Sequence, residues 1–242
     1  MKPAIKVLGV PDDINSSFMR GSSDAPSLIR DALYSASSNL FSESGLNLDQ
    51  NGIWEDLGDI EFVGEVALEN FKKIKTFVKD VLVTDQKLVS LGGDHSVSWP
   101  ILDAHLDAWD TLDILHIDAH PDLYDSLLDN KLSHASPFAR VMETGRVNRL
   151  VQIGIRTLNK HQREQAEKFK VEIYQMKDLT KLSSLSFSKP VYCSIDIDAL
   201  DPAYAPGVSH FEPGGLSTRQ VIDYINGFKG RLIGADIVEY NP

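Results

Sequence analysis

A chain of 242 residues, 42% of them hydrophobic and 24% charged, is long enough to bury one sizeable core. Its 35 acidic against 24 basic side chains give a formal charge of −11, which argues against nucleic acid or an anionic membrane as partner. A single cysteine, Cys193, excludes an internal disulfide, and no apolar run has the length of a membrane span or a secretory leader, so the expected location is the cytoplasm.

In chain order, the first element is the short apolar strand "AIKVLGV" (4–10), followed by a helix near 26–35 and a polar, turn-rich surface loop, "ASSNLFSESGLNLDQNG" (36–52). Over 65–83, Leu68, Phe71, Ile74, Val78, Val81 and Leu82 recur at helical spacing among Lys, Glu and Asp. Strand "KLVSLG" (87–92), a helix at 96–108 and strand "LDILHID" (112–118) come next. A helix at 134–144, strand "RLVQIGI" (149–155) and a helix at 159–169 lead to strand "PVYCSIDID" (190–198), where Cys193 reads as a small core residue. A helix at 217–227, capped by Ser217 or Thr218, and strand "RLIGADIVE" (231–239) complete the series. Strand and helix alternate throughout, which predicts an α/β fold with three α/β/α layers and a mainly parallel, doubly wound sheet. No linker or change of composition divides the chain, so residues 1–242 read as a single domain. Such sheets bind ligands outside the carboxyl ends of their strands.

Three of these strands end in ionisable clusters. One runs into Asp94 and His95, the second into Asp118, His120 and Asp122, the third into Asp196 and Asp198. Residues two apart on a strand share a side, so the pairs Asp118/His120 and Asp196/Asp198 are expected to converge. A lone DxH or DxD reads most simply as a turn or a helix cap. Three of them at separate strand ends ask for another explanation, because four packed carboxylates cost several kcal/mol each to desolvate without a compensating charge. No Lys or Arg lies within the clusters. Two divalent cations match the four carboxylates of Asp118, Asp122, Asp196 and Asp198, with His95 and His120 completing the shells. Carboxylate-rich, thiolate-free ligands favour manganese over a structural zinc. Two such ions about 3.5–4 Å apart activate a water for hydrolysis.

The motifs "LGGDHS" (91–96), "DAHPDLYD" (118–125) and "SIDIDALDPAYAPG" (194–207) resemble the signatures of the ureohydrolases, the arginase and agmatinase family. The likeness extends through "SHASPFARVME" (133–143), "VQIGIRT" (151–157), "GVSHFEPGGLS" (207–217) and "GADIVEYNP" (234–242), and with "LGVPDDINSSFMRG" (8–21) it leans toward the plant-type arginases and bacterial sequences like them. The resemblance implies an arginase-like fold and manganese-dependent hydrolysis of a linear guanidino compound, L-arginine or agmatine, to urea and an amine. It implies two Mn²⁺ ions. His95, Asp118, Asp122 and Asp196 would hold one, and Asp118, His120, Asp196 and Asp198 the other, with Asp118 and Asp196 bridging. By the same resemblance Asp122 would orient the attacking hydroxide, Glu239 would pair with the substrate guanidinium, and His134 would pass a proton to the leaving amine. A homo-oligomer, trimer or hexamer, is expected, and the chain stops before a C-terminal segment and helix that family members usually carry.

Other titratable groups receive smaller roles. His105 and His161 read as surface or core fillers, His116 as buried structure, His210 as a loop residue near the pocket mouth, and Asp94 and Asp201 as ties for the loops beside the metals. Where animal arginases carry an asparagine that grips the amino acid end of arginine, two residues after the third aspartate, this chain has Tyr124. Hydrolysis of guanidinobutyrate or formiminoglutamate is the alternative within the family, and an idle metal-binding relative the alternative outside catalysis. A dinuclear metallophosphoesterase would carry a later GNH block, which is missing here, and a mononuclear deacetylase would not need so many carboxylates.

Overall fold

The computed structural model describes residues 5–50, 52–83, 86–181 and 185–242. Ala4, the first residue of the expected first strand, lies outside them. Runs of β-branched residues form β1 (Ile5–Val10), β3 (Lys87–Gly92), β4 (Leu112–Ile117), β5 (Val147–Ile155), β7 (Val191–Asp196) and β8 (Leu232–Val238). Two further strands, β2 (Trp54–Asp59) and β6 (Glu172–Gln175), complete one sheet in the order β2, β1, β3, β8, β7, β4, β5, β6, and every neighbouring pair runs parallel. The helices are α1 (Ala25–Leu33), α2 (Ala67–Leu82), α3 (Ser98–Trp109), α4 (Pro137–Glu143), α5 (Lys160–Phe169) and α6 (Thr218–Gly227). Ser217 is the cap of α6: its side chain accepts the Gln220 N–H and the Gln220 side chain answers in return.

The two layers of core follow from the period of two along each strand. Leu112 and Ile114 of β4, Leu150 of β5 and Tyr192 of β7 join a cluster with Phe71, Ile74, Ile101 and Phe138 from α2, α3 and α4. The alternating residues Leu115, Ile117, Val151, Ile153 and Cys193 join a second cluster with Leu185, Phe187 and Val221. The sheet is therefore covered on both faces, as the sequence predicts. Burial pushes the Cys193 thiol up to about 12, in keeping with a packing role. Ile114 is fully buried on a central strand, so Ile114→Ala is expected to lower the unfolding free energy by about 2–5 kcal/mol in a denaturant titration. No helix among the described residues is long and apolar enough to cross a membrane.

Several expectations change in detail. Strands β2 and β6 escape a search for continuous apolar runs because they are edge strands, with only one neighbour each and mostly half-buried side chains. Leu68 sits on the outer side of α2 and is 58% exposed, whereas Phe71, Ile74 and Val78 make its buried stripe. The segment expected as a helix over 134–144 begins helically only at Pro137, whose missing N–H suits a first turn. His134 consequently lies in the turn before α4, not on a helix. The loop at 36–52 is turn-rich and largely exposed where described, with one antiparallel bridge between Phe41 and Asn47.

The carboxyl ends of β1, β3 and β8 are zipped together at Gly93. Its N–H reaches Val10 O at 2.9 Å and its carbonyl accepts the Glu239 N–H at 2.9 Å. A Cβ at this position would come within 2.1 Å of the Asp12 carbonyl oxygen, so only glycine permits the approach that brings His95 and Glu239 side by side.

Candidate metal centre and active site

Three of the motif carboxylates are aimed by a local backbone hydrogen bond. Asp118 Oδ1 accepts the His120 N–H at 2.6 Å, Asp196 Oδ1 accepts the Asp198 N–H at 2.7 Å, and Asp94 accepts the Ser96 N–H at 2.9 Å. These are turns formed after the strands have ended: β4 stops at Ile117, and β7 gives way at Asp196 to a 3-10 turn over Ile197–Ala199. The pairs Asp118/His120 and Asp196/Asp198 therefore converge through side-chain turns, not through the strand pleat the sequence suggests. Asp198 in turn accepts the Ala119 N–H at 3.2 Å, which clamps the two loops to each other. Asp122 and Glu239 have φ of 49° and 62°, a left-handed backbone that costs about 1 kcal/mol or more for residues other than glycine. Strained backbone at two adjoining cavity residues is a feature of functional sites.

At the centre, His95 Nδ1 faces Asp122 Oδ2 at 2.9 Å, Asp196 Oδ2 at 3.1 Å and Asp118 Oδ2 at 3.2 Å. The nitrogen is buried and makes no hydrogen bond of acceptable geometry with any of them. One N–H cannot serve three carboxylates, but a cation placed among the four groups can. Beside this set, His120 Nδ1 lies 3.0 Å from Asp198 Oδ2 and 3.6 Å from Asp118 Oδ1. Among the described residues two groups of potential ligand atoms result, one containing His95, His116, Asp118 and Asp122, the other Asp118, His120 and Asp198; in each the atoms lie within 4.8 Å of one another. Asp118 is common to both. Burial and the like charges of Asp198 and Asp118 push the Asp196 carboxyl well above its ordinary value, and burial with Asp118 pushes Asp198 up to about 6. The carboxylates repel one another as they stand, and two hard cations fit the donor set.

His120, Asp122, Asp196 and Asp198 line a cavity of about 180 Å³ that His134 and Glu239 also line, with His95 and Asp118 fully buried behind it. Glu239 Oε1 accepts both the His95 backbone N–H and the His134 Nδ1–H at 2.8 Å. His134 Nε2 meets Ser17 Oγ at 2.8 Å. Burial opposes a charge on His134, but the Glu239 carboxylate outweighs it and pushes the imidazole up to about 9. The pairing favours the protonated imidazole. No Lys or Arg among the described residues lines this cavity.

The arginase family model matches residues 3–242. The chain belongs to the arginase family. Arginase 2, chloroplastic/mitochondrial, of Arabidopsis thaliana is 44% identical over 100% of this chain and 74% of its own length. The solved arginase of Medicago truncatula superposes with a TM-score of 0.94 at 42% identity, covering 99% of this chain and 80% of that one. The N(1)-aminopropylagmatine ureohydrolase of Thermus thermophilus is 35% identical over 98% of this chain and 83% of its own length. As a family member the chain is a ureohydrolase, an enzyme acting on guanidino carbon–nitrogen bonds, and family enzymes use a binuclear metal centre.

In this arginase-family site, all six expected ligands, His95, Asp118, His120, Asp122, Asp196 and Asp198, come together, and His134 and Glu239 stand beside them. Asp201 ties its loop as expected, accepting the Gly214 N–H at 2.7 Å and the Ala203 N–H at 3.0 Å. His210 lines the cavity, with its ring 5.6 Å from those of His120 and His134. His105 is a buried filler, its ring edge-on to Tyr192. His161 does more than fill: it stacks on Tyr124 at 5.5 Å and accepts the Asp125 N–H at 3.3 Å. Sequence reasoning did not single out Ser17, Leu127, Ala135 and Gln162, which also line the cavity, or Glu212, whose Oε1 is 3.6 Å from His120 Nε2. Gln162 carried one usable signal: it is the third residue of α5 and closes the capping box opened by Asn159.

Proposed function

We propose that this chain hydrolyses a linear guanidino compound, L-arginine or agmatine, to urea and an amine, with two manganese ions. His95, Asp118, Asp122 and Asp196 would hold one ion, and Asp118, His120, Asp196 and Asp198 the other. The observation that carries this reading is the convergence of three carboxylates on the unsatisfied Nδ1 of His95, with a second imidazole–carboxylate set sharing Asp118. Oxygen-rich ligands without thiolate favour manganese. The names borne by the relatives, arginases and an aminopropylagmatine ureohydrolase, support a guanidino substrate with an alkyl tail.

When bound, the ions supply a water acidified toward neutral pH. The chain's own residues do the rest. Glu239 offers a carboxylate to the planar guanidinium and fixes its carbon in the cavity. Asp122 accepts a proton from the attacking water and aims it at that carbon. As the carbon–nitrogen bond to the alkyl chain breaks, His134, already protonated, gives its proton to the departing nitrogen; urea and an alkylamine leave. Tyr124 and Leu127 also line the cavity.

A urea-release assay with manganese against L-arginine, agmatine and guanidinobutyrate, with formamide release read for formiminoglutamate, tests this reading. Urea from arginine or agmatine is expected. Turnover of guanidinobutyrate or formiminoglutamate alone would move the substrate within the family, and turnover of none of the four would contradict hydrolysis.

A further inference from the structure

His116 is fully buried beneath the candidate metal centre, and its two ring nitrogens are both occupied. Nε2 is 2.7 Å from Asp118 Oδ2, and Nδ1 is 3.0 Å from the Gln152 side-chain amide nitrogen. That amide nitrogen also lies 2.6 Å from the Pro121 carbonyl oxygen. A carbonyl can only accept, so the Gln152 group facing it is the NH₂, and its second hydrogen points to His116 Nδ1. Nδ1 is then the acceptor of the ring and Nε2 carries the proton. The ring lies over Phe138 at 3.9 Å and against the edge of His95 at 5.0 Å, which leaves it no room to rotate.

The consequence falls on Asp118, which belongs to both groups of converging ligand atoms and, like Asp196, to both proposed ligand sets. Its Oδ1 accepts the His120 backbone N–H and its Oδ2 accepts the His116 Nε2–H, so its plane is fixed from two sides by neutral donors. A neutral imidazole holds the carboxylate without adding a positive charge beside two dications, which Lys or Arg would do. His116 falls within reach of a ligand group by distance, but its proton on Nε2 points at Asp118 and excludes that nitrogen as a ligand.

We infer that Gln152 and His116 form a relay that positions Asp118 for two metal ions, with His116 a neutral Nε2–H donor and not a ligand. This rests on the metal-centre reading above. The test is manganese binding followed by electron paramagnetic resonance on the full chain, for the wild type, His116→Phe and Gln152→Leu. The wild type is expected to bind two Mn²⁺ per chain. Both variants are expected to keep two sites while one or both weaken by about 10–100-fold. Long-range ¹⁵N–¹H spectra of the wild type, metal-free and zinc-loaded, are expected to show His116 as the Nε2–H tautomer in both states, a reading that needs no variant to fold. Two wild-type sites with unchanged affinity in both variants would overturn the relay alone. Loss of one site on His116→Phe, or a zinc-dependent loss of the Nε2 proton, would make His116 a ligand and overturn it too. A wild type that binds no manganese would overturn the metal-centre reading itself.

Discussion

Asp122→Asn is expected to lower kcat by at least about 10²–10³-fold with the fold intact. The carboxylate stands 2.9 Å from His95 Nδ1 and lines the cavity, so it is both a candidate ligand and the group best placed to take a proton from the attacking water. Asparagine has the same shape but neither the charge nor a strong base. It also tolerates the left-handed backbone at this position, φ 49°, which separates loss of chemistry from loss of structure. His161→Ala provides the control. Its ring stacks on Tyr124 at the outer wall and touches none of the six ligands, so a small effect on turnover is expected. Steady-state urea release, with circular dichroism to verify folding, reads both. Equal losses in the two variants would mean that the reacting centre has been misplaced.

Glu239→Gln has the second large effect, and it acts in two ways. The carboxylate proposed to pair with the guanidinium becomes a neutral amide, and breaking a buried ion pair of this kind costs about 3–5 kcal/mol, or about 10²–10⁴-fold in kcat/KM. At the same time His134 loses the partner that pushes it up to about 9. Burial then dominates, and a buried imidazole without a carboxylate favours its neutral form. The sign is fixed: the protonated, acid-competent form of His134 is present below its pKa, so the alkaline limit of any step that needs it moves to lower pH in the variant. A pH profile of kcat unchanged from the wild type would separate His134 from proton delivery.

How far the sequence carries differs from residue to residue. The central strands are legible because parallel strands buried on both faces must be nearly continuous in apolar residues, as "LDILHI" is. The edge strands β2 and β6 are not, because each is covered less and has a single neighbour. The candidate ligands are legible because carboxylates, repeated with histidines at the ends of separate strands, demand compensation. The means of their convergence is not, since the pleat and the side-chain turn both bring residues two apart together, and only the ends of β4 and β7 distinguish them. His134 and Glu239 needed the likeness to known ureohydrolases, because one His before a helix and one Glu at a strand end carry no pattern of their own. His116 reads from the sequence as buried structure. It is buried, but its contact with Asp118 depends on where the strand stops, and Gln152, which fixes its tautomer, lies 36 positions along the chain on β5.

Elemental analysis of the purified, active protein, before and after chelation, tests the electrostatic core of the account most directly. Two equivalents of a transition metal per chain are expected, with chelation removing both the metal and urea release and lowering Tm, and manganese restoring all three. Full activity in material that contains no transition metal would contradict it.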